Sequence, residues 1–477
     1  MQRHPLRAFL LAAGALVLSA PLLPAQIDPG TRQLSRDILK QLIEINTTDS
    51  VGSTTVAAEA MAQRLRDAGF PASDVVVLGP NPRKGNMVAR LHGTGAHQPV
   101  LLIGHLDVVE ARRSDWTTDP FQFVEKDDYF YGRGTQDMKG DDAIWVTEFI
   151  RLKREGFKPD RDLILALTAD EEGGLSNGVD WLIKNHRDLI DAEFVLNSDG
   201  GGVDTENGKP VIVSMDATEK LYADFQLTVT NPGGHSSLPV PDNAIYHLAD
   251  ALGRLEHFQF PLELNDVTRA YFERMASIET GQEATDMRAI LNNLPDPAAA
   301  ARLSLDPLQN ATLRTTCVAT RLDAGHANNA LPQSAHANVN CRILPGHTRE
   351  EVRQALIRIF DDPRVEVRYL DHGRVLDSAP NAQALPPVKL RPDVMQTLET
   401  IAGEMWPGTP VIPTMSTGAS DGVYTNAAAM PTFGISGVAI DMNDVRAHGR
   451  DERLRVESFY QGVDFYYRYL KALTSGR

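Results

Sequence analysis

The chain of 477 residues has little cysteine, and beyond its first 25 residues no segment is apolar enough to cross a membrane. Its two cysteines, Cys317 and Cys341, are too few for a disulfide framework or a four-cysteine zinc site. They flank a turn region near Asn329 at similar distances, so a bond between antiparallel strands is one prediction. Two separate buried thiols are the other prediction, and the sequence leaves both open.

Positive charge is also scarce, since 47 Lys and Arg stand against 63 Asp and Glu for a net charge of -16. Such a surface repels nucleic acids and anionic lipids, and no basic cluster interrupts it, so a nucleic-acid partner is disfavoured. The contents of 42% hydrophobic and 23% charged residues are typical of a globular protein. The length exceeds what one hydrophobic core supports, so we expect two or more domains.

The first 25 residues have the order of a secretory signal peptide. Arg3 and Arg7 supply positive charge, residues 8–20 are uncharged and mostly apolar, and small residues and prolines follow up to Ala25. The apolar run is too short to span a bilayer comfortably. We expect an exported protein, periplasmic or extracellular, with no membrane span; an uncleaved anchor is the alternative.

Short apolar runs alternate with helical patterns from residue 26 to residue 214. This alternation indicates an α/β fold with a largely parallel sheet. The predicted strands are residues 75–78, 87–91, 100–103, 163–168 and 194–196, and the later helices are residues 143–152 and 178–183.

The pattern changes near Ser214. Residues 221–229 alternate between apolar and polar, a helix is predicted at 243–255, and a polar, helical insertion occupies residues 256–312. Two β-rich runs follow, and strand and helix alternation resumes after residue 345. We therefore predict a small α+β domain over residues 215–345, inserted into an α/β domain formed by residues 26–214 and 346–477.

Five short segments place histidines and carboxylates after predicted strands or at helix starts. In open α/β sheets, sites form beyond the carboxyl ends of the strands, and glycines beside these side chains permit tight turns. The segments are residues 104–107 (GHLD), 132–140 (GRGTQDMKG), 170–174 (DEEGG), 197–201 (NSDGG) and 447–449 (AHG).

Two imidazoles and three of the carboxylates in these segments form a set that suits two zinc ions with a position left for water. Two such ions activate water and polarise a scissile carbonyl. Glu171 and Glu172 are adjacent, so one can bind metal while the other acts as a general base. Asp107 lies two residues from His105 and can hold its second ring nitrogen, which fixes the tautomer. Cobalt or manganese also suit such ligands.

Residues 132–140 together with 170–174 resemble the M20 family of metallopeptidases, and the resemblance covers nearly all of the chain after the signal peptide. It implies a zinc-peptidase-type three-layer α/β/α catalytic domain with an inserted α+β (ferredoxin-like) lid and dimerisation domain. It also implies roles for the site residues. These are His105 and Asp199 on one zinc, Glu172 and His448 on the other, Asp137 as the bridge, Glu171 as the general base and Asp107 as the support of His105.

Four further segments match the same family. Residues 233–237 (GGHSS) resemble its lid motif, which implies that His235 stabilises the oxyanion, often in the active site of a partner subunit. The segments 329–332 and 342–346 imply that Asn329 and Arg342 bind substrate, and arginine suits a carboxylate. Residues 418–421 resemble a loop that binds the substrate carboxylate through Gly418 and Ser420, although Ala419 replaces a common threonine. A homodimer is implied by the resemblance alone.

The resulting prediction is a two-zinc carboxypeptidase or dipeptidase that cleaves small peptides bearing a free carboxylate. The alternative is an N-acyl amino acid amidohydrolase that uses the same machinery. The insertion at 256–312 enlarges the lid and looks most like the carboxypeptidase S branch, which includes secreted N-acyl amino acid hydrolases. A third reading, from another class, is an exported two-lobed binding protein without catalysis.

Overall fold

A ten-stranded sheet, here the large sheet, and a five-stranded sheet, the small sheet, organise the computed structural model of this chain. The structure describes residues 27–371, 373–379, 384–386 and 389–476. The predicted signal peptide at residues 1–25 lies outside these residues. Among the helices in the described ranges, none has the length and hydropathy to span a membrane.

The described helices and strands follow in chain order. The helices are α1 (Pro29–Ile43), α2 (Thr54–Asp67), α3 (Lys139–Glu155), α4 (Gly178–Asn185), α5 (Arg187–Ile190), α6 (Ala244–His257), α7 (Asp266–Ile278), α8 (Gly281–Ile290), α9 (Pro297–Leu303), α10 (Pro307–Leu313), α11 (Arg349–Phe360), α12 (Pro392–Met405), α13 (Gly422–Ala427) and α14 (Val456–Thr474). The strands are β1 (Val75–Leu78), β2 (Asn86–Leu91), β3 (Val100–His105), β4 (Val124–Lys126), β5 (Tyr129–Tyr131), β6 (Leu163–Thr168), β7 (Phe194–Asn197), β8 (Gly202–Glu206), β9 (Lys209–Glu219), β10 (Leu221–Thr230), β11 (Gly234–His235), β12 (Thr316–Ala324), β13 (Ala330–Leu331), β14 (Ser334–Ile343), β15 (Glu366–Asp371), β16 (Arg374–Leu376), β17 (Val411–Ser416), β18 (Thr432–Gly434), β19 (Ala439–Asp441) and β20 (Arg453–Arg455).

Polar side chains fix where several helices begin. Asp28 accepts the backbone N–H of Thr31 ahead of α1, and a proline occupies the first turn, where its missing N–H has no cost. Thr348 and Glu351 form a capping box at the start of α11. Helix α3 ends at Gly156, whose φ of 65° is the left-handed conformation that glycine adopts easily.

The large sheet is mixed rather than largely parallel as predicted. Its order is β1-β2-β6-β3-β7-β18-β9-β8-β19, and β17 also pairs with β9. The central strands β6, β3, β7 and β18 are parallel, because helical segments connect them. Strands β1, β2 and β8 join through antiparallel pairs. The periodicity that predicted the strands carries no information about their direction.

Helices cover both faces of the large sheet, which gives three layers. Leu102 and Leu165 belong to a core shared with α1, α3 and α14, whereas Leu101 and Ile164 belong to the opposite core beside α4. Neighbouring residues on a strand point to opposite faces, so both apolar faces must be covered. The predicted α/β class with helices around a central sheet is therefore confirmed.

The small sheet is antiparallel, in the order β12-β14-β10-β15-β16. One face packs against α6 and α11 through residues such as Phe225, Val339, Leu248 and Leu356. Because α11 and β15 complete this core, the unit continues to Leu376, past the boundary at residue 345 that the sequence indicates. After residue 345 helix and strand alternate as they do in the first domain, so the sequence pattern assigns this segment to that domain.

The insertion at residues 256–312 forms α7 to α10. Phe272 and Met275 of α7 bury in one cluster with Ile412 of β17, and Ile212 of β9 packs against that cluster. The insertion therefore contacts the large sheet, whereas the sequence analysis assigns it to the lid. The apolar face of α7 is covered by β17, a strand that is distant in the sequence.

Cys317 of β12 lies directly opposite Cys341 of β14, and the two form a disulfide. The bond attaches β12, which stands at one end of the small-sheet order, to its neighbour β14. Of the two alternatives that the sequence leaves open, the structure shows the bonded one. Paired residues across antiparallel strands bring two Cβ atoms close enough for such a bond.

We expect the Cys317→Ser/Cys341→Ser variant to lose about 3 kcal/mol of unfolding free energy, because the bond closes a loop across a sequence separation of 24 in the unfolded chain. Urea unfolding with and without reductant measures this loss. Reductant should destabilise the native protein and leave the double variant unchanged. Equal stability of both proteins under oxidising conditions would contradict the prediction.

Candidate metal centre

Three neighbouring strands of the large sheet end at the same edge. His105 is the last residue of β3, Glu171 and Glu172 follow β6, and Asp199 follows β7. Strand β3 lies between β6 and β7 and runs parallel to both. Parallel strands present their carboxyl ends at one edge, so these four side chains meet there, as the sequence predicts.

Two loops bring the remaining predicted ligands to this edge. Asp137 lies just before α3, and His448 lies in the loop between β19 and β20. The backbone of His448 has a φ of 62°, which is uncommon for a residue other than glycine. The imidazole of His448 faces Asp137.

Asp137 contacts both histidines with its two carboxylate oxygens. Its Oδ1 lies 3.0 Å from His105 Nε2, and its Oδ2 lies 3.0 Å from His448 Nε2. His448 Nε2 also lies 2.7 Å from Glu172 Oε1. Two groups of potential ligands result, each with its ligand atoms within 4.8 Å of one another: His105, Asp137 and Asp199, and Asp137, Glu172 and His448.

The charges of the centre fit divalent cations. Burial raises the pKa of Asp199 well above its usual range, and burial also raises the pKa of Glu172. These carboxylates repel one another, and two imidazoles supply too little positive charge to balance them. Nitrogen and oxygen donors in this ratio suit zinc, cobalt or manganese. The residues therefore fit two ions that share Asp137.

The carboxylates of the centre also shift the pKa values of the histidines. The hydrogen bond with Asp137 raises the pKa of His448 to about 9. Burial alone would raise the pKa of Asp137, but hydrogen bonds from His105 and His448 hold it below its usual range. Asp137 is thus the most strongly ionised carboxylate of the centre, which suits a ligand shared by two cations.

Asp107 supports His105 through its backbone and not, as the sequence analysis predicts, through its side chain. The backbone carbonyl of Asp107, rather than its side chain, lies 3.0 Å from His105 Nδ1, and the nearer carboxylate oxygen is 3.8 Å away. The buried carboxylate instead accepts the backbone N–H groups of Glu171 at 3.2 Å and Glu172 at 2.9 Å. Asp107 therefore orients the imidazole through its backbone and the two glutamates through its side chain.

Glu171 opens onto a cleft of about 480 Å³ between the two sheets. Burial raises the pKa of Glu171 to about 10, although His105 opposes the shift. The cleft wall combines aromatic and apolar side chains with one arginine and several carboxylates, among them Asp180, Asp224 and Asp421. Its lining includes Tyr222, Tyr369, Tyr424, Val423, Leu370 and Arg349. A carboxyl group beside the paired ligands and open to a cleft can exchange protons with a bound molecule.

Comparison with known proteins agrees with this geometry. The model of peptidase family M20/M25/M40 matches residues 101–472, which is most of the chain. The chain belongs to peptidase family M20. It is therefore a hydrolase, and the reading as a binding protein without catalysis is set aside.

Two relatives and one solved structure show which M20 proteins this hydrolase resembles. It is 32% identical to the probable carboxypeptidase S-like 2 of Dictyostelium discoideum over 78% of this chain and 71% of that protein. It is 27% identical to the human N-fatty-acyl-amino acid synthase/hydrolase PM20D1 over 95% of this chain and 90% of that protein. The fold is similar to that of the metallo-carboxypeptidase Sso-CP2 of Sulfolobus solfataricus, with a TM-score of 0.69, 18% identity and coverage of 94% and 99% of the two chains.

His235 is not among the two M20 ligand groups; it lies on a short ribbon formed by β11 and β13, and Asn329 directly precedes β13. Both are exposed. His235 Nδ1 lies 2.7 Å from Ser237 Oγ, and the carbonyl of Asn329 accepts the N–H of Ser236. The structure thus places these two predicted residues beside each other, on a surface open to a partner.

Arg342 lies on β14 with its guanidinium 4.8 Å from the ring of Tyr222, which lines the cleft. The N–H of Gly418 donates to Ser416 Oγ. The backbone N–H and the hydroxyl of Ser420 both donate to the buried carboxylate of Glu219, at 2.7 and 3.0 Å. The donors of Ser420 are therefore directed into the protein.

The sequence analysis missed Lys84, which holds the turn that carries the glutamates. Its ammonium forms a short ion pair with buried Asp170 and lies 2.6 Å from Asp49. Asp170 has a φ of 59°, and its carboxylate also accepts the N–H of Ser176. Lys84 lies in a loop without hydrophobic periodicity, so nothing near it in the sequence marks its partner.

We expect Lys84→Met to lower the unfolding free energy by about 3 kcal/mol, because the variant leaves the carboxylate of Asp170 buried without its partner. Turnover should fall as well, since Asp170 precedes Glu171. Lys184→Met is the matched control, because Lys184 forms an exposed pair with Asp180. Denaturant unfolding and initial rates compare the two variants; similar losses in both would show that the buried pair has no special importance.

Proposed function

We propose that this M20 hydrolase is an exported two-zinc enzyme that cleaves the amide bond of a small substrate with a free carboxylate. The observation that supports it best is the arrangement of two ligand groups that share Asp137 beside Glu171. Peptide carboxypeptidase or dipeptidase activity and N-acyl amino acid hydrolysis both require this chemistry.

In this proposal His105 and Asp199 would hold one zinc ion, Glu172 and His448 would hold the other, and Asp137 would be shared by both. When bound, such ions supply a water of near-neutral pKa and polarise the substrate carbonyl. The carbonyl of Asp107 fixes the tautomer of His105 by accepting its Nδ1 hydrogen, which leaves Nε2 free as a ligand.

Glu171 is the proposed general base and acid. Its carboxylate takes a proton from the attacking water and later passes a proton to the leaving nitrogen. The backbone N–H of Glu171 donates to Asp107, so the side chain is aimed from a fixed backbone. The unit built on the small sheet is proposed to close over the cleft and exclude bulk water from this transfer.

Arg342 is the proposed partner of the substrate carboxylate, and Asn329 assists it. Gly418 and Ser420 stay predicted contacts, although Ser420 gives its donors to Glu219. The aromatic and apolar part of the cleft beside Glu171, formed by its tyrosines with Leu370 and Val423, suits an apolar acyl group or side chain. This observation, together with the carboxypeptidase S-like and N-fatty-acyl-amino acid hydrolase relatives, keeps N-acyl amino acids as the second candidate substrate class.

His235 is proposed to stabilise the oxyanion in the site of a second subunit. Its exposure on the β11–β13 ribbon supports a role outside its own centre. Strand β12 offers an interface, because it stands at one end of the small-sheet order and its Val318 and Leu322 are 60% and 67% exposed. A homodimer would cover this edge.

Export is proposed from the order of residues 1–25. The disulfide between Cys317 and Cys341 supports it, because such bonds persist in oxidising compartments.

A substrate panel tests the proposed specificity. Dipeptides and short-chain and long-chain N-acyl amino acids are offered as free acids and as carboxamides. We expect kcat/KM to fall roughly 10- to 100-fold for the carboxamides, since a charge-assisted bond to Arg342 is lost. Arg342→Met should remove the preference for the acid. Equal hydrolysis of acids and carboxamides by the native enzyme would disprove the carboxylate requirement, and the ranking of acids separates the two substrate classes.

Glu171→Gln tests the proposed base. The variant should bind two zinc ions per chain like the native enzyme, because Glu171 is not a ligand, yet lose about 10²- to 10⁴-fold in kcat. Native enzyme treated with a chelator should lose activity and regain it with zinc, whereas the variant should not recover. Asp188→Asn, an exposed carboxylate on α5, is the control. Full turnover by Glu171→Gln would reject the assigned base.

A further inference from the structure

His448 is a metal-ligand candidate that packing does not hold in place, since 54% of its side chain is exposed. It lies on residues 444–453, here the histidine loop. Its contact, Asp137, lies on residues 133–137, here the aspartate loop, in a distant part of the chain. The separation of these two side chains therefore depends on how the two loops are joined.

Glu452 of the histidine loop holds the backbone of the aspartate loop. Its side chain is fully buried and accepts the N–H groups of Gly134 at 3.0 Å, Gln136 at 2.7 Å and Asp137 at 3.2 Å. The guanidinium of Arg133 donates to the same carboxylate at 2.6 Å. Four donors on one carboxylate fix the aspartate loop from its first residue to Asp137 itself.

Gln136 of the aspartate loop holds the histidine loop in return. Its Oε1 accepts the N–H groups of Arg446 at 2.7 Å and Ala447 at 2.9 Å. Its Nε2 donates to the carbonyls of Asp444 at 3.2 Å and Arg453 at 2.8 Å. The amide thus bonds the backbone on both sides of His448, including the residue directly before it.

Arg133 completes the connection. Besides Glu452, its guanidinium donates to the carbonyl of His448 at 3.3 Å and lies 5.1 Å from the ring of Trp116. The carbonyl of the ligand residue itself is therefore bonded to the opposite loop.

We propose that Glu452 and Gln136 are positioning residues that clasp the two loops and so set the affinity for the ion between Asp137 and His448. This inference rests on the proposed two-zinc function. Neither residue touches the reacting atoms; both act through the backbone of the ligands.

The physical reason is the narrow tolerance of metal coordination. Ligand distances must hold within about 0.2 Å, and an exposed loop with a non-glycine residue at positive φ does not keep such a position by itself. Without the clasp, the competent arrangement is populated less, and the apparent affinity falls by that fraction.

The test compares zinc titrations of native protein, Glu452→Gln and Glu457→Gln against a chromogenic chelator. We expect Glu452→Gln to bind the zinc ion between Asp137 and His448 roughly 10- to 100-fold more weakly. The variant should recover kcat at saturating zinc. Glu457→Gln, an exposed glutamate in the first turn of α14, should match the native protein.

Gln136→Met, which keeps the side-chain length and removes four hydrogen bonds, is the second variant and decides the test if Glu452→Gln fails to fold. The melting temperature of each metal-free protein separates stability from positioning. Unchanged zinc affinity in a folded variant, even with a lower melting temperature, would overturn the clasp. Native protein that does not bind two ions would instead overturn the proposed function and this inference with it.

Discussion

Repulsion between carboxylates gathered at one edge of the large sheet is the constraint on which the rest of this structure depends. Glu171 and Glu172 follow β6 and Asp199 follows β7, on either side of β3, and Asp137 joins them from a loop. Burial raises the pKa of Glu171, Glu172 and Asp199. Two imidazoles do not balance this charge. The arrangement is stable in its ionised form when cations occupy the centre, so folding and metal affinity are linked.

The polypeptide holds these mutually repelling groups by bonding their backbones rather than their side chains. Asp107 accepts N–H groups from the two glutamates, Lys84 pairs with the residue before them, and Glu452 accepts N–H groups from the aspartate loop. Each anchor is a buried charged group with a fixed partner. The anchors do not use the ligand atoms of Asp137, Glu172 and the two histidines, which face one another as a preorganised centre requires.

The sequence predicts much of this because local patterns encode it. Buried strands such as β3 and β6 are apolar throughout, and polar residues directly after them must lie at the sheet edge. Strand direction, the cover found by α7 on β17 and the extension of the small unit to Leu376 depend on contacts between distant segments. Lys84 and Glu452 escape notice for the same reason, because a charged residue in a loop resembles a solvated one until its distant partner is known.

The docking of α7 against β17 changes how the small sheet is tethered. The chain leaves that unit after α6, buries Phe272 beside Ile412, and re-enters it at β12, where the ammonium of Lys220 bonds the carbonyl of Arg314. An inserted unit joined only at its two ends can swing about an axis through both. Here the chain between α6 and β12 is anchored on the large sheet through α7, which opposes such a swing. Sliding of packed surfaces is therefore the rearrangement that this architecture permits most easily.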